Sequence, residues 1–245
     1  MDEAAALINP KHPLYTDPTR RRLNVTQDLR FHNAYTVALD GEYADWAYSE
    51  ARAPSNREIW RSKVFQVPES HPVDLEIGTG NGTFFAHQAL GTPERCLVGI
   101  EIKYKPLIQT IRRTRRMGLT NAAVARIHAF NLDEVFGDGE INNIFVFFPD
   151  PWVDPRKPRN RLFQPEVLER LWKIQKPGSR LFLKTDSKEY FDWSLEQVRD
   201  SRYRLVDSTY DLHGSGSADM EFRTAFEKIF TAQGILINAC WLARD

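Results

Sequence analysis

Residues Val73 to Gly82 read VDLEIGTGNG, and the fold follows from how that stretch is parsed. A short apolar run closes on three glycines at alternating positions, Gly78, Gly80 and Gly82, with Glu76 two residues ahead of the first. An apolar run bounded by turn residues predicts a buried strand, and the glycines predict a tight turn into a helix beginning near Thr83. Glycine suits such a turn because the backbone must take positive φ and let a ligand approach with no Cβ in between. Strand, glycine turn and helix together make the front end of a nucleotide-binding α/β domain.

Spacing separates the cofactor classes that use such a turn. A phosphate-gripping loop ends in Gly-Lys-Ser/Thr, which is absent. A dinucleotide fingerprint places its third glycine one position later, where Thr83 stands. Here the pattern is Glu-x-Gly-x-Gly-x-Gly, with the acid inside the strand. A carboxylate so close repels a pyrophosphate but suits a cofactor with a cationic amino-acid portion, such as S-adenosylmethionine. A nicotinamide cofactor stays open as the alternative. The next strand, expected over Leu97 to Ile102, carries Glu101 about 20 residues beyond the last glycine, where an acid accepts hydrogen bonds from ribose hydroxyls. Glu76 has a plainer reading as a strand-end acid, yet an acid in a buried strand is costly without a partner.

The chain's 245 residues suit one α/β domain with an N-terminal extension, and 42% hydrophobic residues suffice for a substantial core. Formal net charge is zero, so any nucleic-acid surface must be local. Cys96 and Cys240 stand far apart beside apolar residues, which predicts buried thiols in a reducing compartment, not a disulfide or a metal pair. The opening MDEAAALINP is acidic and lacks a signal pattern, and no apolar run approaches the length of a membrane span. These features predict a cytoplasmic protein with no membrane and no metal partner.

In chain order, the first 70 residues or so are polar and poorly periodic, broken by Pro10, Pro13 and Pro18. Arg20, Arg21 and Arg22 read as a solvated cluster, with a nucleic-acid contact as the alternative. Tyr43, Trp46, Tyr48 and Trp60 sit among charges and read as cover for the core, the other possibility being a stacking platform for bases. From Val73 onward strand and helix signals alternate, the pattern of a parallel sheet covered on both faces, closing on two strands with an antiparallel end. A helix from about Pro106 to Met117 ends in Arg112, Arg113, Arg115 and Arg116. That number exceeds what a helix dipole needs, so a phosphate contact is weighed beside it.

The strand NNIFVFF, Asn142 to Phe148, runs into Pro149-Asp150-Pro151-Trp152. Prolines end strand pairing, and the carboxyl ends of strands in an open α/β sheet face the ligand crevice, which aims Asp150 at the reacting methyl group. The plainer alternative is a surface Asp-Pro turn. Next comes a basic loop holding Arg156, Lys157, Arg159 and Arg161, read as a phosphate contact because of its position beside Asp150.

DLEIGTGNG, GIEIK from Gly99, FFPDPW from Phe147, KTD from Lys184 and TAFEKIF from Thr224 together resemble the tRNA (guanine-N7)-methyltransferases of the TrmB type. The resemblance covers Val73 to Ile237, about two thirds of the chain. It implies a Rossmann-like class I S-adenosylmethionine-dependent methyltransferase, with a mostly parallel seven-stranded sheet, an antiparallel last strand and helices on both faces. The methyltransferase domain is expected over 71–245 and a partly irregular extension over 1–70. Carried over by position, Glu76, Gly78, Gly80, Gly82, Glu101 and Asn131 contact the cofactor, Asn131 standing where the family commonly has Asp. Asp150 matches the catalytic carboxylate and also faces the cofactor. Asp186, Thr224 and Glu227 match positions that hold the target guanosine. Asp154, on the substrate side, replaces a customary lysine.

The implied reaction is methylation of guanine N7 in tRNA, by family habit at the variable-loop guanosine, by a monomer or homodimer. N7 carries no proton, so attack on a sulfonium methyl needs alignment more than a base. Two other functions are kept beside it. One is an RNA-binding subunit of the same fold with weak turnover, suggested by Asp154; the other is a small-molecule methyltransferase, suggested by the zero net charge.

Overall fold

The structure, a computed structural model, describes residues 17–154, 156–216 and 222–245. Pro10, Pro13 and Pro155 lie outside the described residues. In chain order the described elements begin with α1 (Ala34–Asp40), β1 (Ala47–Tyr48) and a π-helical segment, Trp60–Phe65. Then come β2 (Val73–Ile77), α2 (Thr83–Gly91), β3 (Cys96–Ile100), α3 (Tyr104–Arg116), β4 (Ala122–Ala125) and β5 (Ile144–Phe147). After these follow α4 (Pro165–Ile174), β6 (Ser179–Thr185), α5 (Lys188–Arg199), β7 (Arg204–Thr209), α6 (Ala225–Ala232) and β8 (Asn238–Arg244).

The strands form one sheet in the order β1-β4-β3-β2-β5-β6-β8-β7. All pair in parallel except β8, which is antiparallel to both β6 and β7. The expected antiparallel last strand is therefore present, but the sheet has eight strands instead of seven. The extra one, β1, comes from the aromatic N-terminal segment and covers the open edge of β4. Two residues are too few to show a period-2 pattern, which is why it was invisible in the sequence.

Every residue of β2, β3, β4 and β5 is buried, as expected for parallel strands covered on both faces. Trp60 is fully buried against one face, its indole N–H donating to the Val135 carbonyl at 2.9 Å, while Tyr43 packs with Leu39, Ile108 and Ile111 on the other. The aromatics of that segment are thus core cover. Asp74, inside β2, is paired twice with Arg95 at 2.5 and 2.6 Å and accepts from the Asn143 amide. Cys96 and Cys240 are free, and burial pushes both thiols up to about 12.

Two basic clusters differ from their sequence reading. Arg20 is not solvated: it donates to Asp133 at 2.8 Å and to Glu134 at 2.9 Å, while Arg170 reaches Asp17 and Thr19. Residues Asp17 to Arg22 are therefore strapped onto the turn Ala129–Glu134. In α3, Arg115 lies 4.5 Å over the Trp46 ring and donates to the Leu119 carbonyl. Arg112 donates to the Tyr43 hydroxyl and Arg113 to the Asn81 carbonyl; Arg113 and Arg116 are both exposed.

From β2 the chain winds outward through β3 and β4, then returns to β5 on the other side of β2. Strand order reverses there, and a crevice opens at the carboxyl ends of β2 and β5. Ile77 pairs with Val146, so the glycine turn and the Pro149–Trp152 segment emerge side by side.

Candidate active site

One cleft of about 820 Å³ opens at that point, with Glu76, Gly78, Gly80, Glu101, Asp150, Trp152 and Thr224 among its walls. On the β2 side, Gly78 and Gly80 take φ of 79° and 53°, and a Cβ at either would meet nothing within 4 Å. Their lack of a side chain leaves that wall open. Gly82 serves differently: a Cβ there would stand 2.7 Å from Thr110, so it permits close packing of the turn on α3 and does not line the cleft.

Glu76 is 4% exposed, and among the described residues its Oε2 has no hydrogen-bond partner. Burial, and secondarily the charge of Glu101, push its carboxyl well above the usual range. Glu101, just past β3, accepts from the Lys103 amide at 3.0 Å and the Gly80 amide at 3.3 Å, so the glycine turn itself holds it. Two residues away in the same strand, Asp74 is fully paired, whereas among the described residues nothing pairs with the Oε2 of the acid that faces the cleft. A buried unpartnered carboxylate costs several kcal/mol unless a cation meets it, and the ammonium of an amino-acid-bearing cofactor is such a cation. The residues present therefore fit S-adenosylmethionine.

The opposite wall is built from a strained segment. Phe148 and Trp152 have φ of 54° and 42°, left-handed values that cost a residue with a side chain about 1–3 kcal/mol each. The Phe148 amide donates to the Lys184 carbonyl at 2.8 Å, which starts the turn. Asp150 is exposed between its prolines, and among the described residues nothing pairs with its carboxylate.

Arg161 is not free for RNA: it is 7% exposed, donates to the Pro151 carbonyl at 3.1 Å and to Glu189 at 2.5 Å, and lies over Trp193. It braces the Asp150 loop from behind. Arg156, Lys157 and Arg159 are exposed, but Arg156 is engaged with Asp154 at 2.9 and 3.0 Å, and its hydrogen bonds hold the Asp154 carboxyl below its usual range. Asp154 thus neutralises one cation of its own loop.

Three more expected contacts lie elsewhere. Asn131 does not line the cleft: its Oδ1 accepts from the Arg21 amide and its Nδ2 donates to the Arg21 carbonyl, both at 3.0 Å. Arg21, which sequence reasoning left in solvent, lines the cleft instead and lies 4.7 Å over Phe130. Beside it, burial and Arg21 pull His128 down to about 4. Asp186 follows β6, partly exposed and outside the cleft walls. Glu227 has no exposed surface; its Oε2 accepts from the Thr224 amide at 2.7 Å, and the Thr224 hydroxyl accepts from the Glu227 amide at 3.1 Å. That reciprocal cap starts α6, and of its two members Thr224 lines the cleft and Glu227 does not.

Lys184 has no place among the site residues expected from sequence, beyond opening the KTD motif. It is buried at the end of β6 and meets Glu227 at 3.0 Å, a pairing no local spacing announces.

An open sheet with a reversed central crossover and such a cleft is the architecture of a Rossmann-like class I methyltransferase. Residues 70–239 match the family described as "Putative methyltransferase". The fold is shared with the 16S rRNA methyltransferase KamB at a TM-score of 0.56 and 17% identity, over 81% of this chain and 95% of that one. Sequence narrows the class. A tRNA (guanine-N(7)-)-methyltransferase of Bdellovibrio bacteriovorus is 53% identical over 202 residues, covering 82% of this chain and 97% of that protein. One of Alkaliphilus oremlandii is 33% identical over 184 residues, covering 75% and 85%. The chain belongs to the tRNA (guanine-N7)-methyltransferase family.

Proposed function

We infer that the protein transfers a methyl group from S-adenosylmethionine to N7 of a guanosine in tRNA. The observation that carries this reading is the convergence of an unpartnered buried carboxylate, Glu76, and a proline-flanked exposed one, Asp150, on a single cleft. The family relatives supply the substrate class.

Glu76 would hold the cofactor's ammonium and Glu101 its ribose hydroxyls, with Gly78 and Gly80 leaving room for the chain between. When bound, the cofactor supplies an electrophilic methyl on a sulfonium. Asp150 accepts from guanine N1–H and the exocyclic amine, which orients the ring and supports the positive charge that it gains. No side chain has to remove a proton, since N7 has none. The Thr224 hydroxyl accepts from the Glu227 amide and so keeps its own proton to donate into the cleft. Lys157 and Arg159, exposed beside this wall, meet tRNA phosphates, while the base leaves its stack at a cost of a few kcal/mol.

Among the described residues no helix is long and apolar enough to cross a membrane; a cytoplasmic setting belongs to the reading through its tRNA substrate. The test is incubation with methyl-labelled S-adenosylmethionine and tRNA, followed by digestion to nucleosides. Label in N7-methylguanosine is the expected result. Retention of tRNA with no label points to an RNA-binding role, and neither retention nor label points to a small-molecule substrate.

A further inference from the structure

Lys184 joins the two parts of the substrate wall. Its backbone carbonyl accepts from the Phe148 amide at 2.8 Å, at the residue whose left-handed turn launches Pro149-Asp150. Its side chain, 1% exposed, donates to Glu227 Oε1 at 3.0 Å and to the Phe222 carbonyl at 3.1 Å, and its ammonium lies 4.9 Å over the Phe147 ring. The other oxygen of Glu227 holds the Thr224 amide. His213 stands 3.4 Å from Glu227 on the outer side. The Asp150 loop and the Thr224 wall are therefore both moored to one residue of β6.

Burying an ion pair is a poor way to gain stability, because an apolar pair of the same volume commonly does as well or better. What the pair offers is direction: each hydrogen bond has a fixed length and angle, and greasy side chains impose neither. Glu227, with no exposed surface and both oxygens engaged, reaches no base unless the first turn of α6 opens.

We propose that Lys184 is a positioning residue for methyl transfer, fixing the separation of Asp150 and Thr224 across the cleft, and that Glu227 acts through Thr224 and not on the guanine. This rests on the methyl-transfer reading above. The test compares Lys184→Met, Glu227→Gln and the double variant for single-turnover methylation of tRNA, KM for tRNA and Kd for S-adenosylmethionine. Either single change breaks the buried Lys184–Glu227 pair and can unfold the chain; the double variant removes both of its charges together and keeps near-wild-type Tm.

A loss of alignment by about 1 Å predicts a fall in kcat of roughly 10–100-fold. Cofactor Kd and tRNA KM should stay within about twofold, a split that general loosening would not produce. The double variant should be no worse than the singles that fold, because the pair acts as one unit. Wild-type kcat in the double variant overturns the proposal. So does a double variant in which the two losses multiply, since Glu227 would then act on substrate by itself. Wild-type protein that leaves tRNA unlabelled would instead remove the underlying methyl-transfer reading.

Discussion

The two walls of the cleft are made by different means. The wall proposed to hold the cofactor consists of strand ends: Glu76 lies in β2, Glu101 directly after β3, and a glycine turn pinned by Glu101 connects them. It rests on strands paired on both sides within the sheet, and it carries the carboxylate left without a partner among the described residues. The wall proposed to face the substrate is a loop with two left-handed residues, held from behind by Arg161 and Lys184. The contrast teaches where each wall is fragile. One fails when a charge is removed, the other when a brace is removed.

The most damaging change should be Asp150→Ala. Loss of a group that supports developing charge typically costs about 10²–10³ in rate, so single-turnover methylation should fall by that factor while calorimetric affinity for S-adenosylmethionine changes by less than about threefold. Glu76→Gln should do the reverse, weakening cofactor binding by about 30-fold or more, as for truncating one partner of a buried charge pair.

Stability gives Glu76 an independent signature. Its carboxyl is raised in the folded state, so between the usual carboxylate range and the raised value the native protein holds a proton that the unfolded chain has lost. Apoprotein stability therefore falls as pH rises through that window. Glu76→Gln lacks the penalty, and its Tm advantage over wild type should widen from acid toward neutral pH in thermal melts without cofactor. Binding of a cationic amine to Glu76 should likewise tighten over the same pH rise.

Smaller effects sharpen the contrast between brace and contact. Arg161→Ala should lower stability by about 2–4 kcal/mol in urea unfolding, since it strands the Pro151 carbonyl and removes packing over Trp193. Asn131→Asp keeps the bond from the Arg21 amide but loses the donor to its carbonyl, a cost of about 1 kcal/mol, read as faster proteolysis before residue 22. Lys157→Ala should leave folding untouched, weaken tRNA binding several-fold and reduce the salt slope of log K by about 1.

What could be read in advance divides along the same line. VDLEIGTGNG declared its strand, turn and helix because apolar run, acid and glycines lie within ten residues of one another. The crevice position of Asp150 followed from prolines at a strand end. Other features depend on partners far away in sequence: Arg20 on Asp133, Asn131 on Arg21, Arg161 on Glu189, Lys184 on Glu227. A side chain's charge is visible locally, but whether it faces solvent, a ligand or a buried counter-ion is set by tertiary packing. Three cations read as solvent- or RNA-facing, Arg20, Arg21 and Arg161, are tied into the protein for this reason. Glu227, matched to the substrate by position, turned out to cap a helix and pair with Lys184, because a Thr-x-x-Glu spacing satisfies a helix start as readily as it lines a site.

The most direct measurement is a crystal structure of the protein with S-adenosylhomocysteine. The expected arrangement has the amino group within hydrogen-bond distance of Glu76, the ribose hydroxyls on Glu101 and the sulfur turned toward Asp150. A complex in which Glu76 stays unpartnered, or in which the sulfur faces away from the Pro149–Trp152 segment, would contradict the assignment of both walls to one reaction.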